Sequence, residues 1–430
     1  MGLIKLKEIT DFSNEYTPRE IDDETFFEKL REQIILSQEN KFYMDLCQKN
    51  DYTVPEEIND DNLQFVPYFY TNNYKITKKL FPNLIKVPQK DIIVWSSSSS
   101  TTGDPSLVGR TYEDLEIIQH NALKCFEEFF FRDKFKNTGM CFNFAPSRSL
   151  YGSLARRIAS KKMKQLKTYT HQRKLIKKYK QEIRFFTSLM NKPWETIPTR
   201  SHYLIKFKIL KTIWAIISTF GVRAGLVLDS KFMIKQIREY KHESIMFGGS
   251  PLLMNNVLVN KMIKENIKID LSETGYVGSG GGGWDGVKGH AKMEKVEKYE
   301  FIERFKDVFN IESDRMKDIY AFTESPVLYG GHWSKKYQDY LHHCPDYARI
   351  IVRDLETLEP VNEGERGVLE AITPFGVNGS INIAVVVDDI VELVSKKKCP
   401  DCGYEGATFR VIGRTKEAPG QSCSSIIDWF

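Results

Sequence analysis

A hydroxyl-rich segment directly follows an apolar one near residue 96, and this junction constrains the fold more than any other feature of the chain. Residues 90–95 predict a short buried strand, and residues 96–103 are Ser-Ser-Ser-Ser-Ser-Thr-Thr-Gly. Clustered hydroxyls with a terminal glycine suit a phosphate-binding loop, although the Gly-Lys-Ser/Thr of a Walker loop is absent. The alternative is a disordered serine linker. The preceding strand and the Thr-Thr-Gly-Asp-Pro ending favour the phosphate loop.

Segments with strand and helix patterns alternate along the rest of the chain. Helices are predicted within 26–46 and 112–131, and strands at 139–145, 245–251, 274–279, 349–353, 367–372 and 384–387. This alternation predicts an α/β fold of layered sheets and helices, with a β-rich subdomain towards the C-terminus. We predict three regions: a helical region at 1–90, a core at 91–394 and a cysteine-containing tail at 395–430.

Composition limits the class of protein. A chain of 430 residues with 41% hydrophobic residues can bury a large core. The N-terminus lacks the sustained apolar region of a signal peptide, which predicts a cytoplasmic protein. A net charge of +5 is modest for this length, so we expect no nucleic-acid binding from charge alone. The seven cysteines are scattered along the chain, which favours reduced thiols or metal ligands over a disulfide framework.

One basic segment, residues 156–184, departs from this balance. It holds about a dozen Lys and Arg against a single acid, Glu182, in a helical pattern. We interpret it as part of an insertion at about 155–200 with a solvated helix face. The alternatives are contact with an anionic membrane, an acidic partner or nucleic acid.

A pair of cysteines near the C-terminus has the spacing of a metal-binding turn. Cys399-Pro-Asp-Cys402-Gly403 places two thiols at the spacing of a zinc knuckle, in which a tight turn directs both at one ion. His343 and Cys344 supply two further ligands of the right type. The sequence therefore predicts a structural zinc site. The alternative is an ordinary turn with free thiols.

Two segments resemble the motifs of the adenylate-forming ligases. Ser98-Ser-Ser-Thr-Thr-Gly-Asp-Pro105 resembles their phosphate loop, and Tyr320-Ala-Phe-Thr-Glu324 resembles their aromatic-x-x-Thr-Glu motif. Ser100 is a departure, because the family usually has glycine there. The resemblance implies that Thr323 contacts the α-phosphate of ATP and Glu324 binds Mg²⁺. It places the phosphates against Ser98, Ser99, Thr101, Thr102 and Gly103.

Within that superfamily, the chain resembles the acyl-protein synthetases of bacterial fatty-acid reductases over roughly residues 60–160 and 240–430. Gly280-Gly-Gly-Gly-Trp284 resembles the segment beside the adenine, and Gly413-Arg414 resembles the hinge. Cys423-Ser424 resembles the Cys-Ser that accepts the acyl group. The resemblance implies nucleotide contacts by Gly281, Gly282, Gly283, Trp284, Tyr320, Asp389 and Arg414, with Asp389 as the acid that binds the ribose.

The resemblance implies a two-step reaction. A carboxylic acid, a fatty acid in this family, reacts with ATP and Mg²⁺ to give acyl-AMP, and Cys423 captures the acyl group for an acyl-CoA-reductase-like partner. It also implies that the C-terminal cap domain is reduced to a short tail, and related phenylacetate-CoA-type ligases carry structural zinc near the knuckle. Two alternatives remain: a phenylacetate-CoA-type ligase that releases acyl-CoA, and a non-catalytic binding protein with the ligase fold.

Overall fold

A computed structural model describes residues 20–75, 78, 80–97, 106–129, 139–144, 165–167, 230–231, 233–282, 284, 287–288, 291–292 and 294–415. These residues form two compact units. The first contains the described residues within 1–98, 105–129 and 319–430, and the second contains those within 99–104 and 130–318. No helix in the described part of the chain has the length and apolarity needed to cross a membrane.

The helices and strands of the described residues, labelled in chain order, are as follows. The helices are α1 (Asp23–Gln38), α2 (Lys41–Lys49), α3 (Tyr112–Phe129), α4 (Pro251–Leu253) continued by a π-helical turn (Met254–Val259), α5 (Asn260–Lys264) and α6 (Lys298–Phe309). Single 3₁₀ turns lie at Leu63–Phe65, Thr71–Tyr74, Phe81–Leu84, Gln89–Asp91 and Ser313–Arg315. The strands are β1 (Phe69–Tyr70), β2 (Val94–Ser97), β3 (Leu107–Arg110), β4 (Gly139–Phe144), β5 (Gln165–Lys167), β6 (Ser244–Gly249), β7 (Gly275–Gly280), β8 (Val287–Lys288), β9 (Ala291–Lys292), β10 (Met316–Tyr320), β11 (Tyr329–Ser334), β12 (Asp339–His343), β13 (Arg349–Arg353), β14 (Arg366–Ile372), β15 (Ala384–Ser395) and β16 (Thr408–Arg414).

The first unit is built on an antiparallel sheet in the order β13-β14-β15-β16-β12-β11. The short strand β1 adds to β15 in parallel, with Phe69 opposite Val385. Helix α1 packs on this unit through Phe26, Leu30 and Ile34, which are spaced four residues apart and fully buried. The Asp22 side chain caps the helix by accepting a hydrogen bond from the Thr25 amide at 2.8 Å.

A small hairpin in the same unit carries the ends of the predicted phosphate loop. Strand β2 pairs antiparallel with β3, so that Ser97 lies opposite Leu107. Helix α3 follows β3 after Thr111, which forms a reciprocal cap with Asp114: the Asp114 amide donates to the Thr111 hydroxyl at 3.2 Å, and the Thr111 amide donates to the Asp114 carboxylate at 2.9 Å. The start of α3 is therefore fixed relative to β3.

The second unit contains a parallel sheet in the order β7-β6-β4-β5. Its core is aromatic: Phe142 of β4 stacks on Phe247 of β6, and Phe247 contacts Phe305 and Phe309 of α6. Each fully buried ring contributes on the order of 2–3 kcal/mol through loss of apolar surface to water. The parallel sheet with a packed helix and the antiparallel sheet of the first unit confirm the predicted α/β class.

Candidate functional site

Three predicted site residues lie far apart in sequence but are in contact in the structure: the side chains of Tyr320 and Arg414 both reach the carboxylate of Asp389. The Tyr320 hydroxyl donates to Asp389 Oδ2 at 2.7 Å, and Arg414 Nε donates to Asp389 Oδ1 at 2.9 Å. Asp389 and Arg414 lie opposite each other on β15 and β16. The aromatic motif, the predicted ribose acid and the hinge arginine therefore form a single polar cluster.

The ring of Tyr320 is held in place by the strands around it. It makes edge contacts with His342 of β12 and Phe409 of β16, with ring centroids 5.8 Å apart in both pairs. Burial, followed by the negative charge of Asp389, raises the pKa of the Tyr320 hydroxyl well above its usual range. The hydroxyl therefore stays protonated and remains a donor to Asp389, whose carboxylate is 13% exposed.

Glu324, the predicted magnesium ligand, is nearly inaccessible, with 4% of its surface exposed. Burial raises the pKa of its carboxyl, while the positive charge of Lys75 and the neighbouring Ser106 hydroxyl oppose the rise. The backbone at this point is fixed because the Asn382 side chain donates to the Glu324 carbonyl at 2.8 Å. A buried carboxyl with a raised pKa is a common property of functional sites, and divalent cations prefer such oxygen ligands.

A buried arginine that the motifs did not predict supports the Thr323-Glu324 turn. Arg110, at the end of β3, is fully buried and donates to the carbonyls of Thr323 at 3.2 Å and Gly376 at 2.9 Å. Gly376 lies in the loop between β14 and β15, which the Asp114 carboxylate holds by accepting from the Gly379 amide at 2.8 Å. The Thr111-x-x-Asp114 pattern at the start of α3 is visible in the sequence. The second partner of Asp114, the Gly379 amide, lies more than two hundred residues away and is not.

The described part of the glycine run lies in the second unit. Gly281 and Gly282 both adopt left-handed backbone conformations, with φ of 75° and 65°, which only glycine adopts without strain. Trp284 packs edge-on against Phe301 of α6, with ring centroids 5.3 Å apart. Gly283 and the loop residues Ser98, Ser99, Thr101, Thr102 and Gly103 lie outside the described residues, as do Cys423 and most of the basic segment.

A second cluster in the first unit brings four metal-ligand side chains together. His332 of β11, His343 of β12, Cys399 and Cys402 have ligand atoms that all lie within 4.8 Å of one another. His332 Nδ1 is 2.9 Å from His343 Nε2, and Cys402 Sγ is 3.5 Å from the same nitrogen. In a tetrahedral zinc site, Zn–N bonds of about 2.0 Å and Zn–S bonds of about 2.3 Å place neighbouring ligand atoms about 3.3–3.8 Å apart. The donor types therefore fit Zn²⁺, and the separations of 2.9 and 3.5 Å lie on either side of the lower end of this range.

The groups outside the cluster orient both histidines. The other nitrogen of His332, Nε2, lies 3.0 Å from the Asp401 carboxylate, and His343 Nδ1 lies 3.1 Å from the Thr408 hydroxyl. Such partners fix the nitrogen that faces a metal. A hydrogen bond from the Cys402 thiol is the main cause that holds the pKa of Cys399 well below its usual range, and this favours the thiolate that a metal binds.

The structure corrects the predicted fourth ligand. Cys344 lies outside the cluster, and its thiol faces the Ala348 carbonyl at 3.3 Å. Adjacent residues of an extended chain point to opposite faces, so His343 and Cys344 do not converge on one ion. His332 is the fourth member of the cluster instead. Its pairing with His343 depends on the register of β11 and β12, in which His332 lies opposite Leu341.

Comparisons with known proteins identify the family and the fold. The family model described as "Acyl-protein synthetase, LuxE" matches residues 212–429, half of the chain. Among solved structures, 2-hydroxyisobutyryl-CoA ligase in the postadenylation state with R3-HIB-AMP is similar with a TM-score of 0.56 and 14% identity, over 94% of this chain and 73% of that one. The same ligase with 2-HIB-AMP and CoA in the thioesterification state also has a TM-score of 0.56 and 14% identity, over 94% of this chain and 74% of that one.

No curated protein matches the sequence. The solved structures, at this identity, establish the fold of the adenylate-forming ligases, as the sequence predicted. The matched range includes the aromatic motif, Asp389, the predicted hinge Gly413-Arg414 and the His/Cys cluster, and it begins after the predicted phosphate loop. The chain belongs to the acyl-protein synthetase, LuxE, family.

Proposed function

We propose that the protein is an AMP-forming acid–thiol ligase that activates a carboxylic acid with ATP and transfers the acyl group to its own Cys423. Membership of the acyl-protein synthetase family supports the reaction class. The proposal includes a fatty acid as substrate and an acyl-CoA-reductase-like protein as the final recipient. Both come from the family resemblance, and so does the assignment of Cys423 as acceptor. A cytoplasmic location is also part of the proposal.

The convergence of Tyr320 and Arg414 on Asp389 is the observation that carries the proposal. Each carboxylate oxygen has two lone-pair positions, and each oxygen of Asp389 accepts one of these two protein hydrogen bonds. The remaining positions suit a pair of neighbouring hydroxyls, such as those of ribose. The hydrogen bonds from Tyr320 and Arg414 also hold the carboxylate in one orientation before a nucleotide binds.

In the first step of the proposed reaction, a carboxylate oxygen of the substrate attacks the α-phosphorus of ATP. An O–P bond forms, the bond between the α-phosphorus and the bridging oxygen breaks, and pyrophosphate leaves with that electron pair. When bound by Glu324, Mg²⁺ supplies positive charge to the phosphates. Thr323 is assigned to the α-phosphate. The Asn382 and Arg110 contacts fix the backbone that presents both side chains.

In the second step, the Cys423 thiolate attacks the acyl carbonyl and AMP leaves. A thioester forms on the chain, and the proton of the thiol is lost to solvent when the thiolate forms. The acyl group is then available to a reductase. The nucleotide contacts assigned to the phosphate loop, Gly281–Gly283 and Trp284 are part of the same proposal.

We also propose that His332, His343, Cys399 and Cys402 bind one structural Zn²⁺. The cluster joins the knuckle to two strands of the first unit, because His332 and His343 belong to β11 and β12. A four-ligand protein set leaves no open position for substrate, which is typical of structural rather than catalytic zinc.

ATP–pyrophosphate exchange tests the first step directly. We expect the wild-type protein to catalyse exchange with at least one acid from a panel of acetate, octanoate, hexadecanoate and phenylacetate. Glu324→Gln keeps the size of the side chain but removes its charge, and we expect a loss of about a hundredfold or more. Glu356→Gln, on an exposed turn, is the control and should leave the rate unchanged. Wild-type protein without exchange on any acid would favour the non-catalytic alternative.

A further inference from the structure

The segment Phe69–Lys75 lies along the proposed nucleotide site, although its sequence carries no recognised motif. Strand β1 pairs with β15, and Tyr70 lies opposite Val386. One residue later, the Thr71 hydroxyl donates to the Asp388 carboxylate at 2.8 Å, beside the proposed ribose acid. The 3₁₀ turn Thr71–Tyr74 then leads the chain to Lys75.

The backbone of Lys75 is fixed at the point where the predicted phosphate loop rejoins the hairpin. Lys75 forms an antiparallel bridge with Ser106, which directly precedes β3. The preceding residue, Tyr74, is fully buried, and its hydroxyl donates to the Ile381 carbonyl at 2.7 Å. Lys75 itself is half-buried. Its side chain therefore starts from a rigid base at one end of the loop.

The charge of Lys75 acts on Glu324 without neutralising it by direct contact. Lys75 provides the largest electrostatic stabilisation of the Glu324 carboxylate. Within the described residues, the two side chains nevertheless form no ion pair or hydrogen bond with each other. A cation near a buried carboxylate but not paired with it can bind a metal–phosphate group together with that carboxylate.

We propose that Lys75 is a catalytic residue of the adenylation step, and that its ammonium group binds the α-phosphate oxygens of ATP while the substrate carboxylate attacks. This inference rests on the proposed function. The attack adds a fifth oxygen to phosphorus and places negative charge on the non-bridging oxygens, and the charge is relieved as pyrophosphate leaves. A fixed cation at that position stabilises the transition state, and loss of one such donor typically lowers kcat by about 10²–10³. The proposed step requires no proton transfer by the lysine.

Lys75→Met tests the proposal, with Lys78→Met as the matched control. Lys78 is exposed, and its amide donates to the Lys75 carbonyl in the same turn. In the exchange assay with the preferred acid, we expect Lys75→Met to lower kcat by about 10²–10³, whereas Lys78→Met should stay within about twofold. The melting temperature of Lys78→Met should equal that of the wild type. Lys75→Met removes a cation near the buried Glu324, so its melting temperature should fall slightly, but it should still unfold cooperatively well above the assay temperature.

One further measurement separates catalysis from a structural effect. Supplied with synthetic acyl-AMP of the same acid, Lys75→Met should form the Cys423 thioester at the wild-type rate, because the α-phosphate has already reacted. If Lys75→Met does not fold, Lys75→Arg and Lys75→Gln replace it: Arg should retain most of the rate and Gln should lose it.

The outcomes distinguish the two proposals. Wild-type exchange together with equal rates for Lys75→Met and Lys78→Met would overturn the role of Lys75 and leave the proposed function intact. An equal loss of both the exchange and acyl-AMP reactions would also overturn it, because it would indicate a structural effect. Absence of exchange by the wild type would overturn the proposed function, and the role of Lys75 with it.

Discussion

Replacement of Tyr320 by Phe isolates the hydrogen bond on which the proposed nucleotide site depends. The ring contacts with His342 and Phe409 do not involve the hydroxyl, so the Phe side chain should keep the same position. A hydrogen bond to a charged group contributes about 1.5–3 kcal/mol. In the variant, Asp389 keeps its hydrogen bond from Arg414 and is partly exposed to water. We therefore expect the free energy of unfolding to fall by an amount near the lower value, about 1.5 kcal/mol.

Thermal unfolding measures this loss. For a domain of 150–250 residues, 1 kcal/mol corresponds to about 2–4 °C, so the Tm of Tyr320→Phe should fall by about 3–6 °C. Tyr299→Phe, whose side chain is exposed on α6, is the control and should leave the Tm unchanged. In a double-mutant cycle, the same substitution in an Asp389→Ala background should cost much less. An equal fall in stability in both backgrounds would refute the assigned hydrogen bond, because the Tyr320 hydroxyl would then contribute to stability without Asp389.

Two more predictions concern the metal cluster and a buried ion pair. Metal analysis of the purified protein should find one Zn²⁺ per chain, and Cys402→Ser should abolish its binding. In a chelator competition, Asp401→Asn should weaken zinc binding about 10–100-fold, whereas Cys344→Ala should leave it unchanged. Loss of zinc in the Cys344 variant would instead support the ligand set predicted from the sequence. Burial raises the pKa of Glu370 to about 7 despite the hydrogen bond that it accepts from Arg353. Between about pH 4.5 and 7 the folded protein therefore holds a proton that the unfolded chain releases. The free energy of unfolding should fall by up to about 3 kcal/mol as the pH rises through this range. Urea unfolding at several pH values should show this slope in the wild type and a flatter one in Glu370→Gln, and equal slopes would contradict the assignment.

Local patterns predicted much of the fold correctly. Strand β13 has the predicted bounds, and β14 and β4 differ from their predictions by a single residue at one end. Strand β15 was predicted only to Val387, because two aspartates follow and Asp is disfavoured in strands. It continues to Ser395 because pairing with β14 and β16 outweighs that preference. The proposed ribose acid therefore lies within a strand, and this position places it opposite Arg414.

The strand that leads into the predicted phosphate loop shows where local patterns fail. The segment 90–95 was predicted as one strand, but Pro88 precedes a 3₁₀ turn at Gln89–Asp91 and the strand begins only at Val94. Proline at the start favours such a turn because its φ is fixed. The Ser-rich run therefore begins within β2 itself, as Ser96 and Ser97 belong to the strand.

Contacts between distant segments could not be predicted from one sequence. The positions of Thr71 and Lys75 depend on a two-residue strand that pairs with residues more than three hundred positions away, and no hydrophobic period marks so short a strand. The placement of His332 likewise depends on strand register, which sequence patterns leave undetermined when both faces are buried. The motif residues could be proposed as candidates because their identity carries chemistry. The predicted divisions near residues 90 and 395 and the role of the basic segment remain predictions.

Intact-protein mass spectrometry after incubation with ATP, Mg²⁺ and the acid panel tests the central claim most directly. The account predicts a hydroxylamine-labile acyl adduct on the wild type and on the control Ser424→Ala, and none on Cys423→Ala. Formation of acyl-AMP without any protein adduct, with acyl-CoA produced once CoA is added, would contradict self-acylation and favour a CoA ligase.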